Sequence, residues 1–232
     1  MSSCDTCVVR NRAICSALDS QELGALNTIG RTRTLAAGES LIWEGDDSVL
    51  VANVIDGVLK LSTGTEDGRE QIVGMVFASD FIGRPFGKTT GHGVTALTES
   101  KVCVFNRRDF DAFAREHPAL EHKLLQRTLA ELDRTRRWML LLGRKSASEK
   151  VASFLLEMSE RLTSSTCDSA AAPAEVLIEL PVSRQQIADV LGLTIETVSR
   201  QFTKFKSDGI IDLPSRREVL VRDRFALAAE AG

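Results

Sequence analysis

Ser183-Arg184-Gln185-Gln186-Ile187-Ala188-Asp189-Val190-Leu191-Gly192-Leu193-Thr194-Ile195-Glu196-Thr197-Val198-Ser199-Arg200 is the densest run of local structural signals in the chain. Ser183 suits an N-cap, Ile187, Ala188 and Leu191 form one apolar helical face, Gly192 permits a tight turn, and Thr194 caps a second helix. That second helix keeps Val198, Phe202 and Phe205 on its inner side and leaves Ile195, Glu196, Ser199, Arg200 and Thr203 outward. The pattern is that of a helix-turn-helix between Pro181 and Asp208, whose second helix enters a DNA major groove. Glu196 and Arg200, four apart, share one face, where arginine pairs with guanine and glutamate accepts from cytosine N4. In isolation the same spacing describes a surface ion pair worth roughly 0.3–0.5 kcal/mol; its place at the start of the second helix favours base contacts. Ser199, Arg184, Thr194 and Thr197 complete the expected DNA-binding set.

Beyond this run, Gly209–Asp212 and Glu218–Val221 read as two strands joined by Leu213-Pro214-Ser215-Arg216-Arg217, a wing whose arginines would touch phosphate. Before it, Thr163–Pro173 lacks periodicity and reads as a linker, and Ser146-Ala147-Ser148-Glu149 fits a capping box that opens a helix through Val151, Phe154, Leu155, Met158 and Leu162. The preceding helix, Ala119 to about Gly143, carries Leu125, Thr128, Leu132, Thr135, Met139 and Leu142 at spacings of 3 and 4, an a/d seam that predicts a homodimer interface. Two of these positions are threonine, which fixes register while weakening the seam. A buried helix of a monomeric bundle has the same periodicity, and Leu124 and Leu141, off the seam, suit packing on the β domain.

Arg107–Glu116 reads as a short helix stopped before Pro118. From about Arg31 to Phe105, short β-rich runs between frequent glycines predict a jelly roll or sandwich, with Val54–Ser62 and Lys101–Phe105 as the clearest strands. The fold class is thus α+β: a cysteine-rich segment 1–20, a β jelly-roll domain 21–117, a dimerisation helix 118–145 and a winged helix-turn-helix 146–232.

The 232 residues, 43% hydrophobic and 26% charged, are those of an ordinary globular chain, long enough for two domains. No apolar run approaches the roughly 20 residues of a membrane span, and Met1-Ser2-Ser3-Cys4-Asp5 has no secretory character; a cytoplasmic protein with no membrane partner is expected. A net charge of −3 makes any nucleic-acid surface local, and Arg200, Lys204, Lys206, Arg216, Arg217, Arg222 and Arg224 supply one. Arg134, Arg136, Arg137, Arg144 and Lys145 on the long helix read as a solvated face. An enzyme on a metal-binding β barrel would need clustered histidines, and His92, His117 and His122, the three present, do not cluster.

The β domain, long helix and winged helix-turn-helix together resemble the CRP/FNR family of bacterial regulators over essentially the whole chain. Glu196-x-x-Ser199-Arg200 is similar to the FNR branch, with Ile195 where the CRP branch has arginine. The resemblance implies a dimer on TTGAT-type inverted repeats, Arg200 on guanine, and RNA polymerase as partner. CRP-type cassettes hold cAMP through a Gly-Glu pair and an arginine. Phe81-Ile82-Gly83-Arg84-Pro85 has Arg84 in place of the glutamate and Gly93–Leu97 has no arginine, so no cyclic nucleotide is expected. Cys4-x2-Cys7-x7-Cys15 with a distant Cys103 resembles the four ligands of FNR-type oxygen sensors, implying a [4Fe–4S] cluster, although the second-to-third spacing exceeds the best-known one. Four thiolates also suit zinc, whose structural sites usually pair two Cys-x2-Cys units, and Cys103 alone reads as a small buried hydrophobe. Cys167 has no assigned role. The family often carries a seam aspartate where Thr135 stands here.

Overall fold

The computed structural model describes residues 4–163 and 175–232 except 65, 67 and 69; residues 164–173 of the expected linker, with Cys167, lie outside the described residues. Two compact units emerge, Met1–Leu132 and Asp133–Gly232.

In the first unit, α1 (Ser20–Ile29) precedes β1 (Gly30–Leu35), β2 (Ser40–Ile42), β3 (Leu50–Asp56), β4 (Leu59–Gly64), β5 (Glu70–Val76), β6 (Phe81–Ile82), β7 (Gly93–Ala96) and β8 (Ser100–Asn106). These are followed by α2 (Arg107–Glu116) and the start of α3 (Pro118–Arg144). The strands form two antiparallel sheets, ordered β1-β8-β3-β6 and β2-β7-β4-β5. Leu35, Ala52, Val54 and Val102 of the first sheet meet Leu41, Leu59, Val76 and Val94 of the second in one apolar core, the expected jelly-roll sandwich.

Side chains alternate across a strand, and in β8 this decides what Cys103 does. Val102 and Val104 join the sandwich core, whereas Cys103 and Phe105 point to the sheet's other face. There a second cluster gathers Ile14, Leu23 and Leu26, Phe110 of α2, and Leu120 and Leu124 at the start of α3, with Cys4, Cys15 and Cys103 packed against it.

The expected strand Val54–Ser62 is not continuous. Gly57 adopts φ +87° and a Cβ there would stand 2.3 Å from Ser100 Oγ, so only glycine turns the chain here. Val54 belongs to β3 in the first sheet and Leu59 to β4 in the second. Helix α1 was not expected either, although Asp19 and Glu22 form a complete capping box at its start.

The second unit holds the end of α3, then α4 (Ala147–Thr163), β9 (Val176–Glu179), α5 (Arg184–Leu191), α6 (Ile195–Ser207), β10 (Ile211–Asp212), β11 (Glu218–Val221) and α7 (Arg224–Ala231). The capping box before α4 is present: Ser146 N–H donates to Glu149 Oε2 at 2.7 Å and Glu149 N–H to Ser146 Oγ at 3.4 Å. Val151, Phe154, Leu155 and Met158 of α4 are buried as its stripe requires. The wing strands β10 and β11 are joined by β9, which the sequence reading lacked, in an antiparallel sheet of order β10-β11-β9.

On α3 the seam residues Leu125, Thr128, Leu132, Thr135, Met139 and Leu142 are all exposed, as is Leu129 beside them. Leu124 and Leu141 are buried, the latter within the second unit's span. Among the described residues no helix is long and apolar enough to cross a membrane.

Candidate functional site

The reading helix is held from both ends of its turn. Ser183 caps α5, its Oγ accepting from Gln186 N–H at 3.2 Å while Gln186 Oε1 accepts from Ser183 N–H at 2.8 Å. Gly192 ends α5 at φ +61°, a left-handed conformation that closes the helix at no steric cost, and Thr194 caps α6 through Thr197 N–H at 3.2 Å. Val198, Phe202 and Phe205 are buried, so α6 is locked about its axis and presents Ile195, Glu196, Ser199, Arg200 and Thr203 outward. The Glu196 carboxyl is held below the usual carboxylate range, first by its own backbone N–H and then by the Thr194 hydroxyl. It is therefore ionised and able to accept a base N–H.

Arg184 sits differently from its expected role. Its guanidinium lies 3.3 Å over the Phe202 ring, burial holds its pKa down to about 10, and Nη1 is buried without a partner. This side chain braces α5 against α6 instead of standing on the exposed face.

The basic cluster also divides. Lys204 pairs with Glu230, Lys206 with Asp212, Arg222 with Glu175 and Asp212, and Arg224 with Glu160. Arg200 on α6 and Arg216 and Arg217 on the wing are exposed.

In the first unit, Cys4, Cys7, Cys15 and Cys103 line one cavity of 660 Å³ together with Asn27, Asn53, Arg10 and Lys101. Residues 4–15 are pinned there by buried Val9, Ala13 and Ile14 and by Arg127 of α3, which donates to the Arg12 carbonyl. Burial, and then the charges of Cys4 and Cys7, push the Cys15 thiol up to about 12. Burial, followed by the charges of Cys15, Cys4 and Cys7, does the same to Cys103, also to about 12. Holding four thiolates together here thus calls for a positively charged centre between them. Among the described residues no three His, Cys, Asp or Glu side chains converge on a single ion position; the four cysteines line the cavity.

Two amides address these cysteines, and neither was anticipated. Cys4 Sγ donates to Asn27 Oδ1 at 3.3 Å, and Asn53 Nδ2 donates to Cys15 Sγ at 3.6 Å. Asn53 is 2% exposed and its Oδ1 has no hydrogen-bond partner, an arrangement that costs about 1–3 kcal/mol. The available signal was a lone amide inside Leu50-Val51-Ala52-Asn53-Val54-Ile55, an otherwise apolar strand.

Residues 149–230 match the family model described as a Crp-like helix-turn-helix domain, and residues 32–117 that of a cyclic nucleotide-binding domain. The transcriptional activator protein FnrL of Cereibacter sphaeroides is 43% identical over 229 residues, 99% of this chain and 92% of that protein. The nitrogen fixation regulation protein FixK of Bradyrhizobium diazoefficiens is 41% identical over 208 residues, 90% of this chain and 85% of that one. The solved structure of FixK2 from Bradyrhizobium japonicum superposes with a TM-score of 0.78 at 30% identity, covering 88% of this chain and 98% of the other.

Proposed function

The chain belongs to the CRP/FNR family of transcription regulators, and from that premise we propose that it is an oxygen-responsive regulator which binds TTGAT-type inverted repeats as a homodimer while Cys4, Cys7, Cys15 and Cys103 hold a [4Fe–4S] cluster. It is a DNA-binding regulator and not an enzyme. The observation that carries the sensor reading is the single cavity onto which all four cysteines open. Four thiolates satisfy such a cluster, and the four cysteines here line one cavity. When bound, the group supplies an oxygen-labile covalent tie between residues 4–15 and strand β8.

The chain's own residues carry that tie to the dimer helix. Cys4, Cys15 and Cys103 pack against the cluster of side chains that includes Leu120 and Leu124 of α3, and Arg127 of α3 holds the Arg12 carbonyl. Leu125, Thr128 and Leu132 lie beside these anchors on the exposed seam. Fixing residues 4–15 therefore fixes the first turns of the helix on which two protomers meet. Arg200 then reads guanine and Glu196 and Ser199 neighbouring base edges, with RNA polymerase as the partner in activation. The sandwich does not serve cyclic nucleotide: Arg84 occupies the glutamate position and Gly93–Leu97 offers no phosphate-binding arginine.

Anaerobic purification tests this reading. About four irons and four sulfides per chain, a visible absorption lost in air, and parallel loss of target-site binding are expected. Stoichiometric zinc without sulfide would replace the sensor with a structural metal site.

A further inference from the structure

The sulfur-facing amide on β3 has no role in the fold that would account for it. Asn53 stands directly opposite Cys103 in the β3–β8 register, on the face that carries the cysteine cavity, and its neighbours Ala52 and Val54 fill the sandwich core. Its N–H reaches Cys15 Sγ at 3.6 Å while its carbonyl, buried, meets no partner. A strand needing only packing at this place would be served by valine or leucine, which leave no polar atom stranded.

We infer that Asn53 is a positioning residue for the cysteine site, its side-chain N–H held against the Cys15 sulfur so that it tunes the redox behaviour of the iron–sulfur group those cysteines ligate. The inference rests on the cluster reading above. A hydrogen bond to a ligating thiolate withdraws negative charge from it, which favours the more reduced form and opposes loss of an electron. Asn27 also meets the site, at Cys4. There the thiol is the donor, a bond that cannot survive ligation as it stands because the thiolate has no proton to give; the bond at Asn53 keeps its direction.

The test uses the full chain loaded anaerobically with iron and sulfide, as wild type, Asn53→Leu and Asn53→Asp. Midpoint potential by spectroelectrochemistry, the rate of bleaching in air, iron and sulfide content, and melting of the cluster-free chains are measured. Asn53→Leu is expected to load normally, titrate at a lower potential and bleach several-fold faster, with cluster-free melting not lowered because the stranded carbonyl is gone. Asn53→Asp, which puts an acceptor-only group against the sulfur, should shift potential further in the same direction. Wild-type potential and bleaching in both loaded variants overturn the inference while leaving the cluster reading intact, and lowered melting with unchanged potential reduces Asn53 to a structural residue. A wild-type chain that takes up neither iron nor sulfide overturns both.

Discussion

Arg200 and Cys103 reach their places in the fold by different routes, and that difference sets how far each was legible. Arg200 is placed by signals within a few residues of itself: the Ser183 and Thr194 caps, Gly192 at φ +61°, and three apolar residues on the inner face of α6. Its exposure was therefore readable from the sequence. Arg200→Ala should leave the fold intact and remove about 1–3 kcal/mol of discrimination between a TTGAT site and a scrambled one, measured as a ratio of affinities at fixed salt. An unchanged ratio would move the reading face elsewhere on α6. Cys103 depends on β8 pairing with β1 and β3 and on which face of that sheet α1 covers, information spread over the whole first unit. Its own strand reads as placing a small buried hydrophobe there, and only the N-terminal cysteines and the family resemblance make it a ligand. Cys103→Ala should lower anaerobic iron and sulfide content while cluster-free melting falls only modestly, since the side chain is partly buried at the edge of the second apolar cluster; a Cys167→Ala control should retain full content. Arg184 shows the opposite failure: its position at the start of α5 suggested a DNA contact, but the Phe202 ring beneath it comes from another helix.

Elements with strong periodicity were legible, whereas α1, capped but weakly amphipathic, and the elements defined by a reversal of the chain were not. Helices α2 to α6 follow their sequence signals closely, with Pro118 at the first position of α3, where a missing N–H costs nothing. The run Val54–Ser62 is apolar enough to read as one strand, and only the left-handed Gly57 shows that it feeds two sheets. Strand β9 alternates buried and exposed over four residues, too short a pattern to stand out beside an aperiodic stretch. Helix α3 makes the sharpest prediction at this scale. Leu125 is 55% exposed and Met139 69%, so the seam contributes little to the fold of one chain and its apolar area is available to a second. Leu132→Ala truncates two leucines per dimer. With ~1.5–3 kcal/mol for burying one leucine side chain, and part of each site still covered, dimerisation should weaken by about 2–5 kcal/mol. Sedimentation velocity over a dilution series measures this, and the melting of the monomer should be unaltered. A dimer constant equal to wild type would place the interface off α3.

The molecule as a whole carries a charge of −3, so DNA is not drawn to it by a general field, and a dimer doubles that repulsion. Attraction must come from a local basic surface. Ion pairs to Glu230, Asp212, Glu175 and Glu160 engage Lys204, Lys206, Arg222 and Arg224 within the second unit, a division that composition could not reveal because it depends on which acidic side chains the fold brings beside each lysine or arginine. Arg216 and Arg217 remain exposed on the wing, where arginine meets phosphate without reading sequence. Each phosphate contact releases condensed counterions and adds about 0.9 to the slope of log affinity against log salt. Arg216→Ala with Arg217→Ala removes two such contacts per protomer, and the slope for a full inverted repeat should fall by about 3 to 4. Affinity for specific and scrambled DNA should drop by similar factors, because the lost contacts carry no base information. Arg200→Ala should do the reverse, collapsing the ratio between the two DNAs with a smaller effect on slope. Titrations of both variants against both DNAs over a salt series separate these outcomes; an unchanged slope in the wing variant would show that the loop between β10 and β11 stands clear of the phosphate backbone.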